Sequence, residues 1–236
     1  MSRIFCAALS VVAIFSASTA LAADIPVRGP VAKAVTAPPP STWQGGYVGI
    51  HGGWGWGDTE HTNPDGSFFS GSFDVEGALL GFTSGYNWQH GAWVFGYESD
   101  FAKSWIDGTK SSPPCGSPCF TDMRWLSTYR LRAGPATPDQ FFFVTGGVAV
   151  GDVKAGAGPF TDKENMIGWT AGIGWEARFA PMWTAKIEYL YVDLGTDGIH
   201  VFGGNPFKTD VRFDTHIVRA GLNYKFSFWD WLMQRR

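Results

Sequence analysis

The sequence predicts an all-β protein, an eight-stranded antiparallel up-and-down transmembrane β-barrel, and three observations predict it. Eight aromatic, glycine-rich stretches of period two follow one another along the chain. The gaps between them alternate in length: 58–72, 107–119, 155–165 and 195–210 are long, while 89–91, 135–139 and 180–181 are short. A secretory signal pattern precedes them all. A meander that crosses a bilayer needs tight turns on its inner side and tolerates large connections outside, so it sorts its loops by length in this way. A soluble β-sandwich imposes no such sorting.

Residues 1–22 read as a signal peptide. Arg3 supplies the positive start, an apolar run covers 4–15, and Ala20-Leu21-Ala22 forms the small-residue site, which places cleavage between Ala22 and Ala23. The run falls short of the roughly 20 apolar residues that a spanning helix needs. Residues 23–42 hold five prolines, Pro38-Pro39-Pro40 among them, without apolar periodicity, and read as an extended periplasmic linker. The barrel is expected over 43–228, and 229–236 as an interfacial or periplasmic tail.

Within the barrel, strands are expected at 43–57, 73–89, 92–106, 120–134, 140–154, 166–179, 182–194 and 211–228. Each is long enough for the roughly 9–11 tilted residues of one membrane crossing. Mean hydropathy is near neutral at −0.06. That value does not argue against a membrane protein, because a spanning strand alternates apolar with polar or small residues and averages the signal away. The 31 glycines, 19 phenylalanines, 12 tryptophans and 7 tyrosines suit a crowded lumen inside aromatic girdles. A net charge of −3 with no basic run gives no reason to expect a nucleic-acid partner.

Side chains alternate faces along a strand, so parity separates lipid-facing from inward residues. In the third strand Trp93, Phe95, Tyr97 and Phe101 oppose Glu98 and Asp100. The fourth sets Trp125, Tyr129 and Leu131 against Arg130 and Arg132, and the sixth sets Ile167, Trp169, Ile173, Trp175 and Phe179 against Glu176 and Arg178. The seventh opposes Trp183, Ile187, Tyr189 and Tyr191 to Lys186 and Glu188; the eighth opposes Val218, Leu222, Tyr224 and Phe226 to Arg219 and Lys225. These four acids and six bases are expected to neutralise one another as an ion network that fills the lumen, since eight strands leave an interior about as wide as its side chains. A selective pore is the alternative use of the same charges.

Cys115 and Cys119 flank a Gly-Ser-Pro turn on the expected second outer loop, and exported cysteines so placed are expected to close a loop disulfide. Two cysteines without further ligands fall short of a thiolate metal site. His61 and His200 fall on different expected outer loops and could meet to hold a metal or haem, though nothing in their spacing requires it. Ser70, His61 and Asp65 are close in sequence but carry no hydrolase motif. Gly49-Ile50-His51-Gly52-Gly53 and Thr145-Gly146-Gly147 lie inside strand patterns, where small glycines fill the lumen. No catalytic, cofactor or metal site is expected.

Several segments resemble the small outer-membrane β-barrel surface antigens of alphaproteobacteria, the outer-membrane immunogenic branch of the opacity-like eight-stranded barrels. They are Trp43-Gln44-Gly45-Gly46-Tyr47-Val48-Gly49, Gly85-Tyr86-Asn87-Trp88-Gln89, Gly96-Tyr97-Glu98-Ser99-Asp100 and Leu126-Ser127-Thr128-Tyr129-Arg130-Leu131-Arg132-Ala133-Gly134. Thr145-Gly146-Gly147-Val148-Ala149, Glu188-Tyr189-Leu190-Tyr191-Val192-Asp193-Leu194-Gly195 and Arg219-Ala220-Gly221-Leu222-Asn223-Tyr224-Lys225-Phe226 complete the set. The resemblance implies a structural protein of the cell outer membrane that displays loops to hosts or phage, with no catalytic residues to carry over. Its implied partners are outer-membrane lipid, lipopolysaccharide and the barrel-assembly machinery; a narrow porin or a haem- or host-ligand-binding protein is the alternative. One departure is the stretch 229–236 after Phe226 and Phe228, where such barrels commonly end in an aromatic residue.

Overall fold

A strand that meets lipid on one side and a narrow interior on the other must place bulky apolar and small or polar residues alternately, and eight stretches of this chain do so. The computed structural model describes residues 42–63, 70–111, 118–157, 160–199 and 209–226. The strands are β1 (Gly45–Thr62), β2 (Phe73–His90), β3 (Trp93–Lys110), β4 (Cys119–Pro135), β5 (Gln140–Ala157), β6 (Phe160–Ala180), β7 (Trp183–Ile199) and β8 (Thr209–Phe226). Each pairs antiparallel with the next, and β8 returns to β1 from Gly46↔Phe226 to Thr62↔Asp210, closing the barrel. Closure leaves no strand edge, so the wall satisfies its backbone polar groups without water. The signal peptide with Ala22 and Ala23, the linker before Thr42 and the tail 229–236 lie outside the described residues.

Three tight turns mark one end. His90↔Trp93 brackets Gly91, whose φ of 60° gives the twist that a two-residue hairpin needs. Ala180↔Trp183 brackets a second two-residue turn, and 136–139 is fastened by Thr137, which donates its backbone N–H to the Gln140 carbonyl at 2.8 Å. At the other end the wall reaches further than the sequence suggests. β1, β3 and β7 continue to Thr62, Lys110 and Ile199, well into the segments expected to be loops.

The largest departure is the third outer connection. It was expected over 155–165, yet β5 runs to Ala157 and β6 restarts at Phe160, paired as Ala157↔Phe160. A wall that has left the bilayer carries charges on both faces, so pairing continues through 162–164 up to Ala157↔Phe160.

The alternation sorts burial sharply. Leu131 is 71% exposed while its neighbours Arg130 and Arg132 are each 2% exposed. Ile50, Phe82, Phe95, Val144, Ile173 and Leu222 share the outer face, with Trp88, Trp93, Trp175 and Trp183 towards the tight-turn end and Trp54, Trp56 and Trp105 towards the other. Ile106, Met123, Leu126, Met166, Leu190, Leu194, Phe213 and Ile217 are buried inside, in a cluster that fills the outer half of the lumen. A purely polar or small-residue interior is therefore not what this barrel has: its outer half is packed as an apolar core.

Replacing Leu131 by Arg puts a cation against lipid. It is expected to lower the unfolding free energy in lipid vesicles by about 2–4 kcal/mol. Denaturant titration followed by tryptophan fluorescence measures this, and a loss under about 0.5 kcal/mol, the range of an ordinary surface substitution, would contradict the lipid-facing assignment.

Candidate functional site

Beneath the apolar cluster lies a layer of buried charge built by six strands. β3 supplies Glu98 and Asp100, β4 Arg130 and Arg132, β6 Glu176, β7 Lys186 and Glu188, and β8 Arg219, with Tyr47 and His51 reaching in from β1. Strand register makes the first contacts, since Glu98↔Arg130 and Glu188↔Arg219 are direct cross-strand partners on the inner face. Side-chain length makes the rest, across the lumen.

Arg130 is the hub. Its guanidinium reaches Glu98 at 2.5 Å, Asp100 at 2.9 Å and Glu188 at 2.6 Å, while its Nε donates to the Thr128 hydroxyl at 2.8 Å. Arg219 holds Asp100 at 2.9 Å and Glu188 at 2.8 Å. Lys186 crosses from β7 to Glu98 at 2.6 Å. Arg132 pairs with Glu98 at 3.2 Å and Glu176 at 3.0 Å, and donates to the Asn87 amide oxygen at 3.0 Å. The Tyr47 hydroxyl donates to Glu98 at 2.9 Å, and Thr184 and Asn223 donate to Glu176. Tyr47 lies where a side chain on Gly85 would stand, so that glycine makes its approach possible. Four carboxylates thus face four bases, and charge-assisted hydrogen bonds offset the desolvation of each.

Below the charges a third layer closes the inner mouth. Trp43, just before β1, is fully buried against Val94, Phe141 and Phe143. Its backbone N–H donates to the Gln89 side-chain oxygen and its indole N–H to the Thr137 carbonyl, both at 2.7 Å. Arg132 joins the two layers, its guanidinium lying 4.5 Å from the Tyr47 ring centre and 5.3 Å from those of Phe141 and Phe143.

Of the ten charges expected in the lumen, Glu98, Asp100, Arg130, Arg132, Glu176, Lys186, Glu188 and Arg219 come together. Arg178 and Lys225 do not. Both stand half-buried at the inner mouth, donate to the Thr42 carbonyl and lie 4.9 Å and 5.8 Å from the Trp43 ring. Their parity is inward, but they sit closer to the tight-turn strand ends than the carboxylates do, and among the described residues neither makes an ion pair. Trp43, expected as the first residue of a strand over 43–57, instead precedes β1, which begins at Gly45, and nothing in the sequence analysis marked it as a lumen seal.

His61 corrects another expectation. It is not on an open loop but at the end of β1, buried, its Nε2 2.9 Å from the Thr121 hydroxyl and its ring edge-on to Phe73. Ser70 Oγ meets the His61 backbone N–H at 2.9 Å, so no hydroxyl–imidazole nucleophile pair forms between them. Asp65 and His200 lie outside the described residues. Cys119 is buried at the start of β4 and disulfide-bonded, and Cys115 lies outside the described residues.

A closed antiparallel barrel with an aromatic, lipid-compatible exterior and a packed interior is an integral outer-membrane barrel. The chain belongs to the outer membrane protein beta-barrel domain family, whose model matches residues 7–226. It is 37% identical to the 31 kDa outer-membrane immunogenic protein of Brucella melitensis, over 92% of this chain and 98% of that one. It is 31% identical to the 25 kDa outer-membrane immunogenic protein of Brucella abortus, over 90% and 92% of the two chains. The crystal structure of OprG, an outer membrane protein of Pseudomonas aeruginosa, shares the fold at a TM-score of 0.50 and 15% identity, covering 78% of this chain and 97% of that one. The protein is therefore located in the outer membrane.

Replacing Arg130 by Met leaves Glu98, Asp100 and Glu188 short of a counter-charge. A stability loss of about 3–5 kcal/mol is expected, read from denaturant midpoints in detergent; an unchanged midpoint would show that the hub contributes nothing.

Proposed function

We propose that the protein is a structural barrel that supports the integrity of the outer envelope and displays its outer connections as surface antigens, without enzymatic activity. The observation that carries this reading is the filling of the lumen by three successive side-chain layers, which favours a pillar over a passage. The names of the Brucella relatives, outer-membrane immunogenic proteins, support the antigen role.

In this reading the signal peptide is cleaved between Ala22 and Ala23, the linker remains in the periplasm, and the assembly machinery inserts the strands among outer-membrane lipid and lipopolysaccharide. The outer connections after β1, β3 and β7 offer contacts to hosts or phage, and a Cys115–Cys119 disulfide stiffens the second of them. The aromatic girdles fix depth, and the closed wall supplies stiffness.

Planar-bilayer recording of the refolded barrel tests the reading. No steady conductance is expected from the wild type. Reproducible single-channel steps would establish the narrow porin instead.

A further inference from the structure

The outer mouth is closed by a polar contact that the strand ladder does not supply. β1 and β4 are not neighbours in the wall, yet His61 Nε2 lies 2.9 Å from the Thr121 hydroxyl and the Thr59 hydroxyl lies 3.4 Å from the same group, across the lumen. His61 stands opposite Val211, one inward position beyond Phe213 on β8, and Thr121 one inward position beyond Met123 on β4, so the contact lies past the apolar cluster. His61 also closes the first outer connection at its base. Ser70 donates its backbone N–H to the His61 carbonyl, and its Oγ accepts the His61 N–H, both at 2.9 Å. Thr121 follows shortly after the buried, disulfide-bonded Cys119, where the second connection re-enters the wall. One imidazole therefore joins the bases of two outer connections.

The contact suits only the neutral ring. His61 is fully buried, edge-on to Phe73, and its Nδ1 has no hydrogen-bond partner among the described residues. It lies beyond the girdle residue Trp56 on β1, outside the membrane crossing, and burial holds its pKa down to about 4 from an ordinary 6.5, no carboxylate or base contributing. Its surroundings explain this. Thr59 from β1, Phe73 from β2, Thr121 from β4 and Val211 from β8 carry no charge. Lys110 on β3 is occupied with the Ser72 carbonyl at 2.9 Å, and Glu60, Asp122, Asp210 and Arg212 have the parity of the outer face. The inward carboxylates at this end, Asp162 and Glu164 on β6, leave the ring unshifted. An imidazolium at this place has a second N–H without an acceptor and a charge without a counter-ion, so protonation favours any state in which the ring has left the site.

We propose that His61 is an acid-released clasp over the outer mouth: neutral, it ties the ends of β1 and β4 to each other across the lumen; protonated, it leaves Thr121 for water, and the two strand ends part over the apolar cluster. The ring binds a proton more tightly outside the site than in it. The clasp is therefore at full strength above about pH 6.5 and weakens as pH falls towards about 4, its opening constant rising about tenfold per pH unit between those limits.

The test uses the full barrel refolded in detergent, with folding verified by heat-modifiable gel mobility. Hydrogen exchange reads the opening as amide protection across 59–62 and 119–122 at about pH 7.5 and about pH 5, corrected for the intrinsic exchange rate. Wild type is expected to lose protection about thirtyfold on acidification. His61→Gln, which keeps a side-chain donor and acceptor but does not titrate, is expected to change less than about threefold over the same range. Asp122→Asn removes the carboxylate beside Thr121, whose pKa burial and Asp107 raise, and is expected to respond as wild type does. A wild type that changes less than about threefold, or a His61→Gln variant that responds like wild type, overturns the proposal. So does a His61 ring that titrates near pH 6.5 by NMR while the rim stays protected, a measurement on the wild type that needs no variant to fold. A barrel that folds and stays non-conducting but ignores acid loses the clasp and keeps the structural reading proposed above.

Discussion

In hydrocarbon no water is present to hydrogen-bond a stray backbone group, so a sheet that crosses a bilayer must close on itself. The pairing of β8 with β1 is that closure, and the rest of the structure answers to it. Eight strands closed at their usual tilt leave an interior only as wide as the side chains that line it. The lumen must then be filled as carefully as the core of a soluble domain, although every second residue available to fill it comes from a strand that also has to satisfy lipid.

The chain fills it in three layers of different chemistry. The apolar cluster of the outer half needs no partners beyond shape. The charged layer would be costly if any member were left alone, and its arrangement avoids this: Arg130 serves three carboxylates, and Glu98 collects Arg130, Arg132, Lys186 and the Tyr47 hydroxyl. Because the contacts run from β3 and β4 to β7 and β8, they tie opposite walls together, which neighbouring backbone hydrogen bonds cannot do. The aromatic layer around Trp43 then seals the inner mouth, with Arg178 and Lys225 clamping the carbonyl of Thr42. Each layer is specific to its height in the barrel.

Period-two patterning was enough to read the eight strands and the inward direction of Glu98, Asp100, Arg130, Arg132, Glu176, Lys186, Glu188 and Arg219, because side-chain parity is a local property that lipid enforces. Height along the barrel is not local. Arg178 and Lys225 share the parity of the network yet stand at the mouth, since nothing in a strand's own sequence says which rows of its neighbours it will face. Trp43 lies just before β1 and draws its partners from β2, β3, β5 and the 136–139 turn, all distant in sequence. The alternation of gap lengths placed loops over 58–72 and 155–165, but it marks where strands leave the membrane rather than where pairing stops: β5 and β6 pair up to Ala157↔Phe160, and His61 is the last inward residue of an extended β1.

The buried charges either couple opposite walls of the barrel or merely occupy space. A double-mutant cycle on Glu98 and Lys186, which meet across the lumen at 2.6 Å, decides this most directly, using Glu98→Gln, Lys186→Met and the pair, with unfolding free energies measured in lipid vesicles. A favourable coupling of at least about 1 kcal/mol between these two side chains is expected if the walls are tied. Additive effects within about 0.3–0.5 kcal/mol, the range for independent sites, would contradict it.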